Sequence, residues 1–297
     1  MDKSRIDFLN KQKSLNRPLI LDGAIGSLLK QSTNFADNIL WSSIINITNP
    51  EKVIALHKEY IDSGADIITT NTFRTNPAVY KQSNINLLNE EFVQRSVQLA
   101  IEARNEKEII IAGSNAPAED CYQIERTISK YDLEYNHKKH IELLWESQVD
   151  VIWNETQSHW DEIETISKYC SSNSIPFVMN FFFTSEFNLL SGEPLTEAIK
   201  MVEDYSPLSV GFNCVKSGQL LKYYEKNELP KSWGFYLNCG VGNVDDENIL
   251  CGIKPKDYVD LIKSFLNSSP LFVGSCCGSN PNHTKAIKEY FNEVYGN

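Results

Sequence analysis

The sequence predicts a single (β/α)8 barrel, a TIM barrel, with residues 1–297 forming one domain. Three observations predict it. Short β-rich apolar runs alternate with longer helical patterns along the whole chain. Several runs are continuously apolar, such as Ile109-Ile110-Ile111-Ala112 and Pro176-Phe177-Val178-Met179, as strands covered on both faces are. Eight such strands each precede a helix, and no linker rich in Pro, Gly or Ser divides the chain. An open doubly wound sheet is the competing fold. Its dinucleotide-binding form needs G-x-G-x-x-G after the first strand, and Asp22-Gly23-Ala24-Ile25-Gly26-Ser27 does not match it.

The strands are expected at Pro18–Asp22, Ala65–Thr70, Glu108–Gly113, Val149–Glu155, Ile175–Phe182, Pro207–Asn213, Trp233–Asn238 and Pro270–Gly274. The first clear helix opens at Asn49-Pro50-Glu51. Asn49 is suited to the N-cap and Pro50 to the first helical position, where its missing N–H costs nothing. Val53, Ile54, Leu56, His57, Tyr60 and Ile61 then fall near one face, and Ser63-Gly64 ends the run. Further helices are expected at Leu87–Arg104, Leu133–Ser147, Trp160–Tyr169, Leu195–Asp204, Gly218–Tyr224, Lys256–Leu266 and Asn282–Val294. The tract Ser114–Lys130 reads as a long loop after the third strand, placed to cover the barrel mouth.

Composition narrows the partners. Lys and Arg number 28 against 39 Asp and Glu, a net charge of −11. Such an acidic surface repels phosphate backbones and anionic membranes, which argues against nucleic-acid or membrane binding and for small-molecule substrates. The tract Met1–Pro18 is polar and lacks the apolar core of a secretory signal. The expected location is the cytoplasm, with the seven cysteines reduced.

A barrel carries its active site at the C-terminal ends of its strands. Those ends hold Asp22, Thr70-Asn71-Thr72, Glu155-Thr156, Asn213-Cys214, Asn238-Cys239 and Cys276-Cys277. Strands six and eight are separated by one neighbour, so Cys214, Cys276 and Cys277 can meet around one ion. Three thiolates suit zinc and leave a tetrahedral position open, the pattern of a catalytic site. On spacing alone, small buried apolar cysteines remain the alternative, and that reading is kept for Cys121, Cys170 and Cys251. Cys239 reads as structural or as a support to the ligands. Asp22 caps a turn or, with Glu155, clamps a substrate ammonium; an unpaired carboxylate in an apolar strand is costly. His57 lies in a helix, His137 and His140 read as a solvated helical face, and none of the five histidines has metal-ligand spacing. Histidine-based triad chemistry is therefore disfavoured. No strand ends in a lysine suited to Schiff-base chemistry, and no Walker loop occurs.

These motifs resemble the homocysteine S-methyltransferase family from about Leu19 to Tyr290. The resemblance rests on Leu21-Asp22-Gly23-Ala24-Ile25-Gly26-Ser27, Gly64-Ala65-Asp66-Ile67-Ile68-Thr69-Thr70-Asn71-Thr72-Phe73, Glu155-Thr156, Gly211-Phe212-Asn213-Cys214 and Gly274-Ser275-Cys276-Cys277-Gly278. It implies zinc held by Cys214, Cys276 and Cys277, and a homocysteine site that includes Asp22, Glu155, Thr72 and Asn238. Ser275 stands where the family usually has glycine, and Leu237 where it usually has proline. The loop from Ser114 also departs from the family's usual Gly-Pro-Tyr-Gly.

The implied reaction moves a methyl group from a sulfonium donor to the thiol of homocysteine, forming methionine. S-methylmethionine is the favoured donor and S-adenosylmethionine a possible substitute. Trp41, Phe73, Phe182 and Phe183 are candidates to face the sulfonium, with barrel packing as the alternative. Two other readings stay open: an acceptor subunit that relies on a separate corrinoid protein, and a non-catalytic zinc or thiol sensor.

Overall fold

The computed structural model describes residues 10–11, 14–32, 39–241 and 249–296. Most of the polar tract Met1–Pro18 lies outside them. Eight parallel strands form the sheet: β1 (Leu19–Ile20), β2 (Ile67–Thr69), β3 (Ile110–Asn115), β4 (Val151–Gln157), β5 (Phe177–Phe181), β6 (Ser209–Asn213), β7 (Trp233–Leu237) and β10 (Phe272–Ser275). Their order is β1-β10-β7-β6-β5-β4-β3-β2. A parallel bridge between Leu21 and Ile67 joins the two ends, and Asp22 N–H donates to the Ile67 carbonyl at 2.9 Å. The sheet therefore closes into the predicted (β/α)8 barrel. Every predicted strand overlaps an observed one.

The helices follow the expected pattern. The first long one runs Pro50–Asp62, with Pro50 in its first turn, and others cover Asn89–Arg104, Lys130–Glu146, Trp160–Ser172, Leu195–Glu203, Ser217–Lys226, Pro255–Leu266 and Pro281–Tyr295. Among the described residues no helix is long and apolar enough to cross a membrane.

Two apolar layers result. The outer one lies between the strands and the helix ring, where Ile20, Ile68, Ile111, Ile152, Met179 and Val210 point outward. The inner one fills the barrel with alternate residues of the same strands, among them Leu21, Ile67, Val151, Trp153, Tyr236 and Phe272. Burial on both faces explains the continuous apolar runs. Phe272 fits the interior because Gly234 faces it: a Cβ there would lie 2.5 Å from the Phe272 ring. Trp153 packs edge-on to Phe272 at 4.7 Å between centroids and makes the floor beneath the strand ends.

The structure corrects several expectations. His137 and His140 are fully buried, not solvated. His140 bridges Thr75 Oγ1 (2.9 Å) and Asn115 Oδ1 (2.8 Å), and burial beside His137 pushes its pKa down to about 3. His137 Nε2 lies 2.9 Å from Glu162 Oε1. Cys251 is exposed, on a small hairpin of β8 (Gly240–Val241) and β9 (Leu250–Cys251) that the periodicity does not reveal. Cys121 and Cys170 are buried, as expected of small apolar residues.

Candidate active site

Strand ends, not helices, build the site. At the end of β1, Asp22 is buried and accepts from Thr69 N–H at 2.7 Å and from the Thr69 hydroxyl at 3.1 Å. Loss of water around it pushes its pKa well above the ordinary carboxylate value; the Thr69 amide opposes this, and the Glu155 charge adds to it. Glu155, in β4, is half-buried and accepts from Ser114 Oγ of β3 and from Tyr236 Oη of β7, the latter at 3.0 Å. Its pKa is also raised by burial, against those two hydrogen bonds. Tyr236 Oη in turn accepts from the Trp153 indole at 3.2 Å. Two carboxyls that dislike being charged thus face one space, which favours a cation that would keep them ionised.

The sulfurs of Cys214, Cys276 and Cys277 all lie within 4.8 Å of one another, and no other group of this kind occurs among the described residues. Cys214 follows β6 in a left-handed conformation, φ 55°, which turns its side chain back over the barrel. Cys276 and Cys277 follow β10. The Cys277 carbonyl accepts from Cys239 N–H at 2.8 Å, so Cys239 supports the double-cysteine turn from outside. Gly278, at φ 81°, lets this turn pass Gly240: a Cβ on it would lie 2.5 Å from the Gly240 Cα.

The sulfurs of Cys214 and Cys276 lie in direct contact, with Cα atoms 5.8 Å apart. The convergence of the two strand ends explains this closeness, because it aims the sulfurs at one point. Reduced, the three thiols fit a soft divalent metal: Zn–S bonds of about 2.3 Å in a tetrahedron place sulfurs about 4 Å apart. Cys276 Sγ and Cys277 Sγ lie at 4.0 Å.

Acids and sulfurs line one cavity of about 360 Å³, together with Trp41, Phe73, Arg74, Asp120, Cys121 and Tyr122. Its size is ordinary for small-molecule binding. The loop between β3 and the helix Lys130–Glu146 supplies Asp120, Cys121 and Tyr122, so it does border the mouth. Trp41 and Phe73 pack edge-to-face at 6.0 Å on one wall. Phe182 and Phe183 do not line this cavity: Phe182 packs against Tyr122 at 5.1 Å, and Phe183 is fully buried against Phe212 and Tyr223.

Asp22, Glu155, Cys214, Cys276 and Cys277 are thus brought together. Thr72 and Asn238 are placed beside the cavity and do not line it. Thr72 Oγ1 donates to the Ser114 carbonyl at 2.7 Å. Asn238 Oδ1 accepts from Gly240 N–H at 2.7 Å. Ser114, Tyr236, Arg74 and Asp120 are site residues that periodicity alone did not single out; Tyr236 and Ser114 were findable as polar groups near strand ends.

Comparison with known proteins points to one family. A sequence profile described as "Homocysteine S-methyltransferase" matches residues 19–291. The protein named "Homocysteine S-methyltransferase 2" of Arabidopsis thaliana is 22% identical over 95% of this chain and 94% of its own length. "Selenocysteine Se-methyltransferase" of Brassica oleracea var. italica is 22% identical over 90% of this chain and 87% of its own. Among solved structures, the metallated form of the homocysteine methyltransferase MmuM from Escherichia coli superposes with a TM-score of 0.78. It is 22% identical, covering 95% of this chain and 99% of that one, and the likeness is one of fold.

Proposed function

The chain belongs to the homocysteine S-methyltransferase family, methyltransferases that act on homocysteine, and on that premise we propose that it is a zinc-dependent enzyme using a sulfonium donor, S-methylmethionine before S-adenosylmethionine. The observation that carries the zinc-dependent reading is the meeting of three cysteine sulfurs in one cavity, beside the carboxyls of Asp22 and Glu155. Cys214, Cys276 and Cys277 would hold the zinc, whose chemistry is to lower a bound thiol's pKa so that the thiolate persists at neutral pH.

The protein's own groups bind and orient. Asp22 and Glu155 take the ammonium of homocysteine, which restores a charge partner to two carboxyls stripped of water. Thr72 acts from behind the wall through Ser114, whose hydroxyl holds Glu155. Asn238 shapes the turn at Gly240, next to the Cys239 amide that holds Cys277. Methyl transfer forms a bond from the homocysteine sulfur to the donor methyl carbon. The donor's carbon–sulfur bond breaks with its electron pair left on sulfur, so the sulfonium becomes a neutral thioether. Holding the two sulfurs and the carbon in line removes much of the barrier, and orientation of this kind is worth up to about 7–11 kcal/mol.

The test is homocysteine binding to the reduced chain loaded with zinc, read by calorimetry. Binding that requires zinc, and that disappears in Cys214→Ser, is the expected result. Equal binding with and without zinc would contradict the reading.

A further inference from the structure

The cavity carries a second set of charges that the acceptor does not use. In-line transfer fixes where the donor must lie. The acceptor sulfur sits at the cysteine trio, so the donor reaches it from the mouth and its tail extends away from the trio. Arg74 and Asp120 both line the cavity and stand side by side on one wall. Arg74 Nη1 donates to the Glu119 carbonyl at 2.9 Å. Its Nη2 stands 3.6 Å from Asp120 Oδ2, beyond hydrogen-bond length. The Arg74 side chain is 16% exposed and the Asp120 side chain 56% exposed. Arg74 is therefore fixed at one edge only, and its other edge meets the carboxylate without closing on it.

The wall behind Arg74 is tied together by hydrogen bonds. Asn71 Nδ2 donates to the Ser42 carbonyl (3.0 Å) and to Asn46 Oδ1 (2.9 Å), and Ser43 Oγ accepts from the Arg74 amide at 3.2 Å. The Arg74 Cζ lies 5.7 Å from the Phe73 ring centroid. A pair of opposite charges beside an aromatic wall matches a zwitterion with a sulfonium on its side chain.

We propose that Arg74 and Asp120 form the clamp for the donor's amino-acid head: Arg74 takes its carboxylate and Asp120 its ammonium. The inference rests on the sulfonium-donor reading above. It makes these two residues determinants of binding for a sulfonium that carries an amino-acid head, separate from the acceptor's Asp22 and Glu155.

The experiment measures initial rates of the zinc-loaded chain with S-methylmethionine and with dimethylpropylsulfonium, which has the sulfonium and no amino-acid head. Arg74→Met and Asp120→Asn are compared with the wild type. Asp120 is on an exposed loop, so its variant tests the clamp even where Arg74→Met folds poorly. The expected result is a KM for S-methylmethionine raised at least tenfold, with the KM for homocysteine and the zinc content unchanged. The headless donor should show the same kcat/KM in wild type and Asp120→Asn. Unchanged donor KM in both variants overturns the clamp alone, as does an equal loss of kcat/KM for both donors, the signature of a merely structural ion pair. Failure of the wild type to use either sulfonium, with homocysteine bound, overturns the sulfonium-donor reading and the clamp with it.

Discussion

Asn213 holds Thr156 across the barrel by two hydrogen bonds. Its Oδ1 accepts from Thr156 N–H at 2.8 Å and its Nδ2 donates to Thr156 Oγ1 at 2.9 Å. The pair spans from β6 to β4, over β5, and links the residue before Cys214 to the residue after Glu155. Thr156 has φ 56°, a left-handed conformation costly for a β-branched residue. Asn213 supplies the compensation. Replacing it by Ala leaves a buried amide without a partner, a loss of about 1–3 kcal/mol. Asn213→Ala should lower the urea midpoint and weaken homocysteine binding more than zinc binding. Unchanged homocysteine affinity would show that the bridge does not position Glu155.

Asp22 sets a trade between stability and binding. Its folded-state pKa is raised, so over the interval between its ordinary and raised values the folded state holds more protons than the unfolded. Stability then falls as pH rises through that interval. Asp22→Asn removes the penalty. The variant should be more stable than the wild type near pH 7, gain nothing near pH 3, and bind homocysteine poorly. In the wild type, homocysteine affinity should rise with pH over the same interval. Urea titrations at several pH values check the first claim; parallel pH profiles for the two proteins would refute it.

Glu162 anchors the loop that borders the mouth. It accepts from Ala118 N–H at 2.9 Å and pairs with His137, with Arg126 Nη1 at 3.8 Å. Burial raises its pKa, but His137, the Ala118 amide and Arg126 outweigh that and hold it below the ordinary value. Its contribution is present above the ordinary carboxylate pKa and is lost as pH falls through the lowered one. Glu162→Leu should destabilise the chain by about 3 kcal/mol and speed proteolytic cleavage between residues 116 and 129. A change below about 0.5 kcal/mol, the scale of a surface substitution, would contradict the anchor.

Gly26 makes room for Trp41. A Cβ there would overlap the Trp41 ring and lie 2.7 Å from Ser42 Oγ. Gly26→Ala should move the indole, alter tryptophan fluorescence and raise the donor KM, at a stability cost of about 1–3 kcal/mol. Fluorescence and donor KM both unchanged would remove Trp41 from the donor wall.

The barrel was legible because its strands are covered on both faces, which writes continuous apolar runs into the sequence. Asp22, Glu155 and the cysteines were legible because each is a polar or thiol group ending such a run. The direction of a side chain at a strand end was not: Thr72 and Asn238 stand at strand ends and turn to backbone partners beside the cavity. His137 and His140 flank Lys138 and Lys139, which made them look solvated. Their spacing with Leu133, Ile141 and Leu144 puts them on the buried face instead. Arg74 and Asp120 lie in loops, where no periodicity marks a residue as facing a cavity.

The central claim is that this single chain joins a sulfonium methyl to homocysteine at a three-cysteine zinc site. Methionine formation by the purified, reduced, zinc-loaded chain with homocysteine and S-methylmethionine tests it most directly, beside Cys276→Ser. The account predicts turnover by the wild type without any corrinoid protein, and loss of both zinc and turnover in Cys276→Ser. Full activity in zinc-free Cys276→Ser, or no turnover by a wild type shown to hold zinc and homocysteine, would contradict it.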